Sequence, residues 1–250
     1  MVTNMEDNNS INLPRIHVAL PLNKEESISL PAAATRHVQV LRMQPKDRLH
    51  LFNGEGGQWL ASITEMGRNH VQVLIHDHED IERETPVRVS LLVGIPANER
   101  MDFLIEKATE LGVAHIYPLL FSRSVIKLSG ERAAKKLAHW QAIAIAACEQ
   151  CGRNRIPQIH PVMTLSDLLQ NQLQNLPQDR RVLSFQKNAL TWTTSETDAV
   201  CILSGPEGGL SLEEENRLIS DAGFTPFSLG ARILRADTAP LATLSSFTLS

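Results

Sequence analysis

Cysteine is scarce in this chain, with three among 250 residues, and an odd number argues against a disulfide framework. Cys148 and Cys151 have the C-x-x-C spacing of a redox pair or of half a zinc site, but zinc needs two more ligands and Cys201 stands alone. The pair also falls on an Ala-rich helical run rather than in a tight turn, so ordinary packing is the expected role. The histidines show no ligand spacing, and no metal is expected. No apolar run approaches the ~18 residues of a membrane span. The segment Met1 to Ser10 is polar, carries Glu6 and Asp7, and lacks the basic and apolar regions of a signal peptide. A cytoplasmic protein without membrane contact is expected. Both phosphate-loop patterns, G-x-x-x-x-G-K-[ST] and G-x-G-x-x-G, are missing, and so is any repeat of about 20 to 50 residues.

Strong charge of either sign is also lacking, with a net charge of -4. Its distribution is uneven. From Arg100 to His160 nine bases face five acids, whereas residues 1–84 carry eight bases and twelve acids. A local basic face on an acidic chain suits a specific polyanion, although a merely solvated helix surface explains part of it.

What is present is enough for a core: 42% of residues are hydrophobic and 21% charged, over a length suited to one large or two ordinary domains. Short strands are predicted at Arg15 to Val18, Ile28 to Leu30, Arg48 to Phe52, Trp59 to Thr64 and Val71 to Ile75, with a helix over Pro31 to Leu41 and a turn at Asn53 to Gly57. This reads as a small barrel-like β domain, followed by a charged linker from Asp77 to Glu84. From Val87 onward strands and helices alternate, which predicts a mostly parallel α/β sheet. Helices are expected at Met101 to Leu111, with Phe103, Leu104, Ala108 and Leu111 on the apolar side, at Glu131 to Cys148, at Leu165 to Leu173, at Ser211 to Asp221 and from Thr238. Strands are expected at Val89 to Ile95, Val113 to Leu120, Ile156 to Ile159, Val182 to Phe185, Ala199 to Leu203 and Pro226 to Leu229.

One stretch concentrates the chemistry. After the apolar run Ala199 to Leu203 comes Ser204-Gly205-Pro206-Glu207-Gly208-Gly209-Leu210, then Ser211 and Glu214 at capping-box spacing. Strand, glycine loop and capped helix make a turn with room for a ligand at the carboxyl end of a parallel strand. Pro206 removes an amide and Glu207 places a negative charge where phosphates would sit. A nucleoside triphosphate is therefore disfavoured, whereas a cationic or zwitterionic adenosine compound is compatible. A plain tight turn is the alternative. A second small-residue loop runs from Gly230 to Ala236.

The two loops together, Gly205-Pro206-Glu207-Gly208-Gly209-Leu210-Ser211 and Leu229-Gly230-Ala231-Arg232-Ile233-Leu234-Arg235, resemble the SPOUT methyltransferases, in particular the RsmE family of 16S rRNA uridine-N3 methyltransferases. Three more blocks agree in order: Arg36-His37-Val38-Gln39-Val40-Leu41-Arg42-Met43, Lys107-Ala108-Thr109-Glu110-Leu111-Gly112-Val113, and Ala147-Cys148-Glu149-Gln150-Cys151-Gly152-Arg153-Asn154-Arg155-Ile156-Pro157. The resemblance implies a PUA-like barrel over residues 1–84, linker included, and a SPOUT trefoil-knot domain over 85–250, working as a homodimer on 16S rRNA of the small ribosomal subunit. It implies S-adenosylmethionine held by Leu203, Ser204, Gly205, Glu207, Gly208, Leu229, Gly230, Ile233 and Leu234.

On that reading Arg235 stabilises negative charge on the uracil oxygens, and Glu207 orients the donor or accepts a hydrogen bond from the base. A salt bridge or RNA phosphate contact is the alternative for Arg235. Arg15, His37, Arg42, Arg123, Lys127, Arg153 and Arg155, with Ser124, are candidate phosphate contacts; for His37 and Arg42 a capping role at a helix end is equally open. Two departures stand out. Asp237 occupies a position where the family has glutamate, and Leu244 to Ser250 is less helix-like than expected, which weakens the case for dimer packing by the last helix. A non-enzymatic RNA-binding protein and a methyltransferase of another substrate are the rival readings.

Overall fold

A computed structural model describes residues 13–97, 99–194 and 196–248. The polar segment Met1 to Ser10 and the last two positions of the expected C-terminal stretch lie outside the described residues. No helix among them is long and apolar enough to cross a membrane. The chain divides into two compact units. One comprises the residues up to Glu84 together with Cys148–Ile156, and the other comprises Thr85–Ala147 and the residues from Pro157 onward. The second unit is thus interrupted by a short segment belonging to the first.

The first unit contains β1 (Arg15–His17), β2 (Ser27–Ser29), α1 (Ala32–Val40), β3 (Arg48–Phe52), β4 (Gln58–Met66) and β5 (Val71–Glu79). They form one sheet in the order β1-β3-β4-β5-β2. β1 runs parallel to β3, and the other pairings are antiparallel. Alternation decides which face is inside: Ala61 and Ile63 of β4, and Val71, Val73 and Ile75 of β5, point into a core shared with Ala34 and Val38, four apart on α1. The β3–β4 turn needs its glycines, because Gly54, Gly56 and Gly57 all have positive φ.

β5 is longer than the apolar pattern suggested. Its pairing with β4 continues to Gln58↔Glu79 and Trp59↔His78, the Gln58 amide donates to Glu79 at 2.6 Å, and the Trp59 and His78 rings lie 4.7 Å apart. The expected linker therefore loses Asp77 to Glu79 to the sheet. Its remainder is held as well. Asn154 donates to the Ile81 carbonyl at 2.6 Å, Glu82 pairs with Arg155 at 2.8 Å, and Glu84 receives both Nε (3.0 Å) and Nη2 of Arg153.

Arg153, expected as a phosphate contact, has a side chain only 5% exposed and is paired with Glu84. Arg15 is also turned inward. It donates to Gln58, to the Arg153 carbonyl at 3.0 Å and to Asn154 at 2.6 Å, with its guanidinium over the Phe52 ring. Burial pushes its pKa down, helped by the charge of Arg83. Both arginines tie the 148–156 segment into the first unit.

The second unit contains β6 (Arg88–Gly94), α2 (Arg100–Glu110), β7 (His115–Leu120), α3 (Gly130–Cys151, its last turn belonging to the first unit), β8 (Gln158–Ile159), β9 (Met163–Thr164), α4 (Leu165–Asn171), β10 (Asp179–Leu183), β11 (Leu190–Thr191), β12 (Ala199–Ser204), α5 (Leu212–Asn216), β13 (Thr225–Ser228) and α6 (Thr238–Thr248). The sheet runs β11-β13-β10-β12-β6-β7-β8, with β9 also on β7, and every pairing is parallel. β6 and β12 are buried from their second residue onward, as strands covered on both faces must be.

Four local expectations change. Phe103 is 49% exposed, because Met101, Leu104, Ile105 and Ala108 make the buried stripe of α2 and Phe103 falls outside it. α3 continues to Cys151, so both cysteines of the C-x-x-C are helical; burial pushes the Cys148 thiol up to about 12, which leaves it inert at neutral pH. The helix after Ser211 is α-helical only to Asn216 and continues as a π turn over Arg217–Asp221. Finally, α6 is helical to Thr248, with Leu244 and Phe247 buried.

The pairing of Arg153 with Glu84 yields a stability test. Arg153→Ala is expected to lower the unfolding free energy by about 3 kcal/mol, because it leaves the Glu84 carboxylate partly buried without its counter-charge. Urea unfolding measures this, and the double variant Arg153→Met, Glu84→Leu should recover most of the loss.

Candidate active site

Three loops meet at the carboxyl edge of β10, β12 and β13. The first, Gly205 to Leu210, is closed by Gly209 N–H donating to the Pro206 carbonyl at 2.8 Å, with Gly209 at φ 67°. It packs directly on the end of β6: a Cβ on Gly94 would lie 2.3 Å from the Pro206 nitrogen. At its far end the expected capping box is present. Glu214 N–H donates to Ser211 Oγ at 3.2 Å, and Ser211 N–H donates to Glu214 Oε2 at 2.8 Å.

Two outside residues brace the loop. The other Glu214 oxygen accepts the Ser122 amide at 2.7 Å, and Arg123 donates to the Leu210 carbonyl at 3.1 Å and the Gly208 carbonyl at 3.4 Å. Burial alone would raise the Glu214 pKa, but the hydrogen bonds from Ser122 and Ser211 outweigh it and hold the carboxyl below its ordinary range. Arg123, expected as a phosphate contact, holds protein carbonyls at the edge of this loop.

Glu207 points back toward β6. Its Oε1 accepts the Ala97 amide at 2.7 Å and lies 3.7 Å from Arg100 Nη1. In the second loop, Gly230 has φ 97° and donates its amide to Ser228 Oγ at 3.2 Å. The Arg235 carbonyl accepts the Thr238 and Ala239 amides, both at 3.0 Å, which fixes Arg235 at the entrance to α6. The third loop follows β10, where Ser184 donates to Glu215 and accepts the Gln186 amide at 3.0 Å.

Together these loops enclose a cleft of about 680 Å³, within the range of small-molecule sites. Ser204, Gly205, Glu207 and Gly208 of the expected set line it, as do Leu229, Gly230, Ile233, Leu234 and Arg235. Leu203 does not, being fully buried in the core. Ser184, Phe185, Gln186, Glu215 and Arg100 also line the cleft and were not expected. The signal for the third loop was its place at the end of a parallel strand, which helps only once β10 is known to lie between β12 and β13.

Lys127 is exposed in the second unit. In the first unit, Arg42 is exposed at φ 57° just past α1. There His37 Nδ1 lies 3.1 Å from Glu149, and Arg155 is half-exposed beside Glu82.

A family model described as an RNA methyltransferase domain matches residues 83–248, and one described as an RNA methyltransferase PUA domain matches residues 30–75. The ribosomal RNA small subunit methyltransferase E of Buchnera aphidicola is 33% identical over 239 residues, which is 94% of this chain and 95% of that protein. The chain belongs to the ribosomal RNA small subunit methyltransferase E family. Among solved structures, the family member from Neisseria gonorrhoeae bound to S-adenosyl methionine superposes with a TM-score of 0.87 at 34% identity, covering 94% of this chain and 96% of that one. A Legionella pneumophila protein in complex with bound cofactor SAM gives 0.88 at 36% identity, covering 96% and 98%.

The lowered pKa of Glu214 fixes the sign of a pH effect. A carboxyl whose folded pKa lies below its unfolded value contributes stability above the unfolded value, about 4.3 for glutamate, and loses it as pH falls through the folded one. The stability difference between the native chain and Glu214→Gln should therefore be constant near neutrality and shrink below about pH 4.3. Thermal melts of both across that range measure it.

Proposed function

We infer that this protein methylates 16S rRNA of the small ribosomal subunit at N3 of a uridine, with S-adenosylmethionine as the methyl donor. The observation that carries this reading is the cleft's backbone cradle. Gly209 and Gly230 both stand on its wall at positive φ, and a Cβ on either would meet nothing within 4 Å, so bare backbone borders open space. That cradle fits the donor. Backbone amides and carbonyls serve its polar groups, Leu229, Ile233, Leu234 and Phe185 give the adenine apolar faces, and the carboxylates of Glu207 and Glu215 suit its positive charge.

When bound, S-adenosylmethionine supplies a methyl carbon activated by a sulfonium, and its transfer to N3 leaves a neutral thioether. The chain's own residues do the rest. Fixing both reactants in line is expected to supply much of the acceleration. The N3 proton must leave as the N3–C bond forms. One oxygen of Glu207 is occupied by the Ala97 amide, and the other accepts that proton. Arg235, exposed beside the cleft, stabilises the negative charge that spreads onto the uracil oxygens.

The same reading takes the second unit as a SPOUT trefoil knot, the working form as a homodimer and the compartment as the cytoplasm. Phe185 and Ile233, 74% and 83% exposed at the cleft, support a surface that a ligand or second copy covers. Arg42, Lys127 and Arg155 remain the candidate phosphate contacts.

Three experiments test this. Gly230→Val should abolish calorimetric uptake of S-adenosylmethionine, because it puts a branched side chain into the cradle. If the native chain itself takes up none, the enzyme reading fails and a non-catalytic RNA binder replaces it. Arg235→Ala should reduce kcat by about 100-fold with donor affinity unchanged. Mass-spectrometric mapping of 16S rRNA from cells with and without the protein should show one uridine-N3 methyl group lost in its absence.

A further inference from the structure

A separate cavity of about 370 Å³ lies at the amino-terminal end of the parallel sheet in the second unit, opposite the glycine-loop cleft. Strand register builds its floor. Ser90 pairs with His115 and His115 with Gln158, and side chains two apart on a strand share a face. One face therefore carries Arg88 and Ser90 of β6, His115 and Tyr117 of β7, and Gln158 of β8 with His160 just after it. Ser90 and Tyr117 are buried behind the others. Arg88 and Gln158 are exposed, and His115 and His160 are half-buried, so a ligand can reach them. Gln172 and Asn175, following α4, line the other side; Asn175 donates to Gln172 Oε1 at 3.1 Å, which leaves the Gln172 amide nitrogen to donate into the cavity. The two imidazoles share a hydrogen bond of 3.3 Å between His160 Nε2 and His115 Nδ1, and His160 stacks on Tyr117 with ring centroids 3.7 Å apart. His115 also hydrogen-bonds Gln158. Among the described residues Nδ1 of His160 has no partner.

One guanidinium and two imidazoles thus meet in one cavity, and among the described residues none of the three is ion-paired with a carboxylate. Burial pushes both imidazoles below their ordinary range, helped for His115 by the charge of Arg88 and for His160, held at about 4, by that of His115. The titratable groups around them are silent near neutrality. Burial raises the Tyr117 phenol and the Cys201 thiol, and Arg180 is taken up by the carbonyls of Pro177, Ala222 and Leu173. We propose that this cavity binds a phosphate group, held by Arg88, by the side-chain amide of Gln172 and by His160. Such a group supplies the negative charge that the cavity lacks, and its oxygens accept from guanidinium and amide N–H groups. Binding draws a proton from solvent onto His160 Nδ1, which then donates to a phosphate oxygen. A divalent cation would be repelled by Arg88, and no group of three His, Cys, Asp or Glu among the described residues could hold one. An apolar ligand would leave the donors unmatched. Because the substrate inferred above is RNA, a backbone phosphate is the expected source; a free phosphate ester carries the same group.

The test is NMR of the histidine rings in the full-length protein, with sulfate as the first probe because it stays a dianion throughout the range in which histidine titrates. Sulfate should shift the His115 and His160 ring signals saturably and raise the pH at which His160 titrates. Its affinity should increase as pH falls from about 7 to about 5, because the bound state holds the extra proton. Arg88→Ala, an exposed change that spares the fold, should weaken sulfate binding by at least about tenfold. His160→Gln should remove the pH dependence. Donor uptake by calorimetry should stay within about twofold in both variants, since the cleft lies at the other end of the strands. A 16S rRNA fragment and uridine monophosphate separate the two sources. The same histidine shifts with the fragment, and a salt dependence of RNA binding reduced by about one charge in Arg88→Ala, assign the site to RNA. Shifts with uridine monophosphate and an unchanged RNA salt dependence assign it to a free phosphate ester. No saturable shift with sulfate, the RNA or the nucleotide overturns the proposal, and so does an undiminished response in Arg88→Ala. The histidine readout does not depend on methyl transfer, so a native chain that takes up no donor overturns the enzyme reading alone.

Discussion

A loop that is half glycine, closed by a single internal hydrogen bond, holds its shape poorly alone, and the chemistry proposed for this protein depends on how that shape is imposed from outside. Gly205 to Leu210 carries few side chains to pack, so its conformation is fixed by neighbours. Gly94 presses against Pro206 from β6, Arg123 holds two of its carbonyls, and Glu214 joins its exit to the Ser122 amide. One contact comes from β6 and two from the loop after β7. Gly209 leaves backbone bare toward the cleft, whereas Gly208 packs on Arg123, which braces the loop and also lines the cleft. Conformational entropy that the glycines would otherwise retain is thus limited by hydrogen bonds to the loop's carbonyls and at its exit.

Strand order makes the cleft possible. β10, β12 and β13 are adjacent and parallel, so the loops leaving their carboxyl ends converge on one edge. β12 is flanked by β10 on one side and β6 on the other, which puts the loop after β6 next to the loop after β12 and brings Ala97 and Arg100 to Glu207. A single ordering of parallel strands therefore sets the cleft and places Glu207 against the loop after β6.

Local chemistry in the sequence was a sound guide where the determinants lie close together in the chain. β3 begins and ends at the predicted residues, α1 starts just after Pro31, and the Ser211–Glu214 box forms. Both small-residue loops line the cleft. What stayed hidden depends on distant partners. Arg153 reads as a free cation until Glu84, 69 residues away, is seen to hold it, and Arg15 likewise until Asn154 is placed. Ser184 to Gln186 carries no motif, and its relevance comes only from a strand order that chain order does not reveal. Phe103 fits a helical spacing, yet one residue's offset from the buried stripe leaves it in solvent.

The second loop, Leu229 to Ala236, has neither the braces nor the capping box of the first, and its position follows from its two ends. At the start, β13 is pinned between β10 and β11. At the finish, α6 is anchored through a buried arginine. Arg181 pairs with both oxygens of Asp179, donates to the Thr193 carbonyl, and lies within about 5 Å of the Trp192, Phe227 and Phe247 rings. A buried guanidinium is tolerated only with its charge and donors matched, and three aromatic faces, a carboxylate and a carbonyl supply that match. Phe247 belongs to α6 and Phe227 to β13, while Trp192 follows β11 and donates to Ser246 of α6 at 3.0 Å. The cluster thus joins the strand before the loop to the helix after it. With both ends fixed to one buried charge, a loop lacking internal order can still hold Gly230 and Arg235 at defined places on the cleft wall.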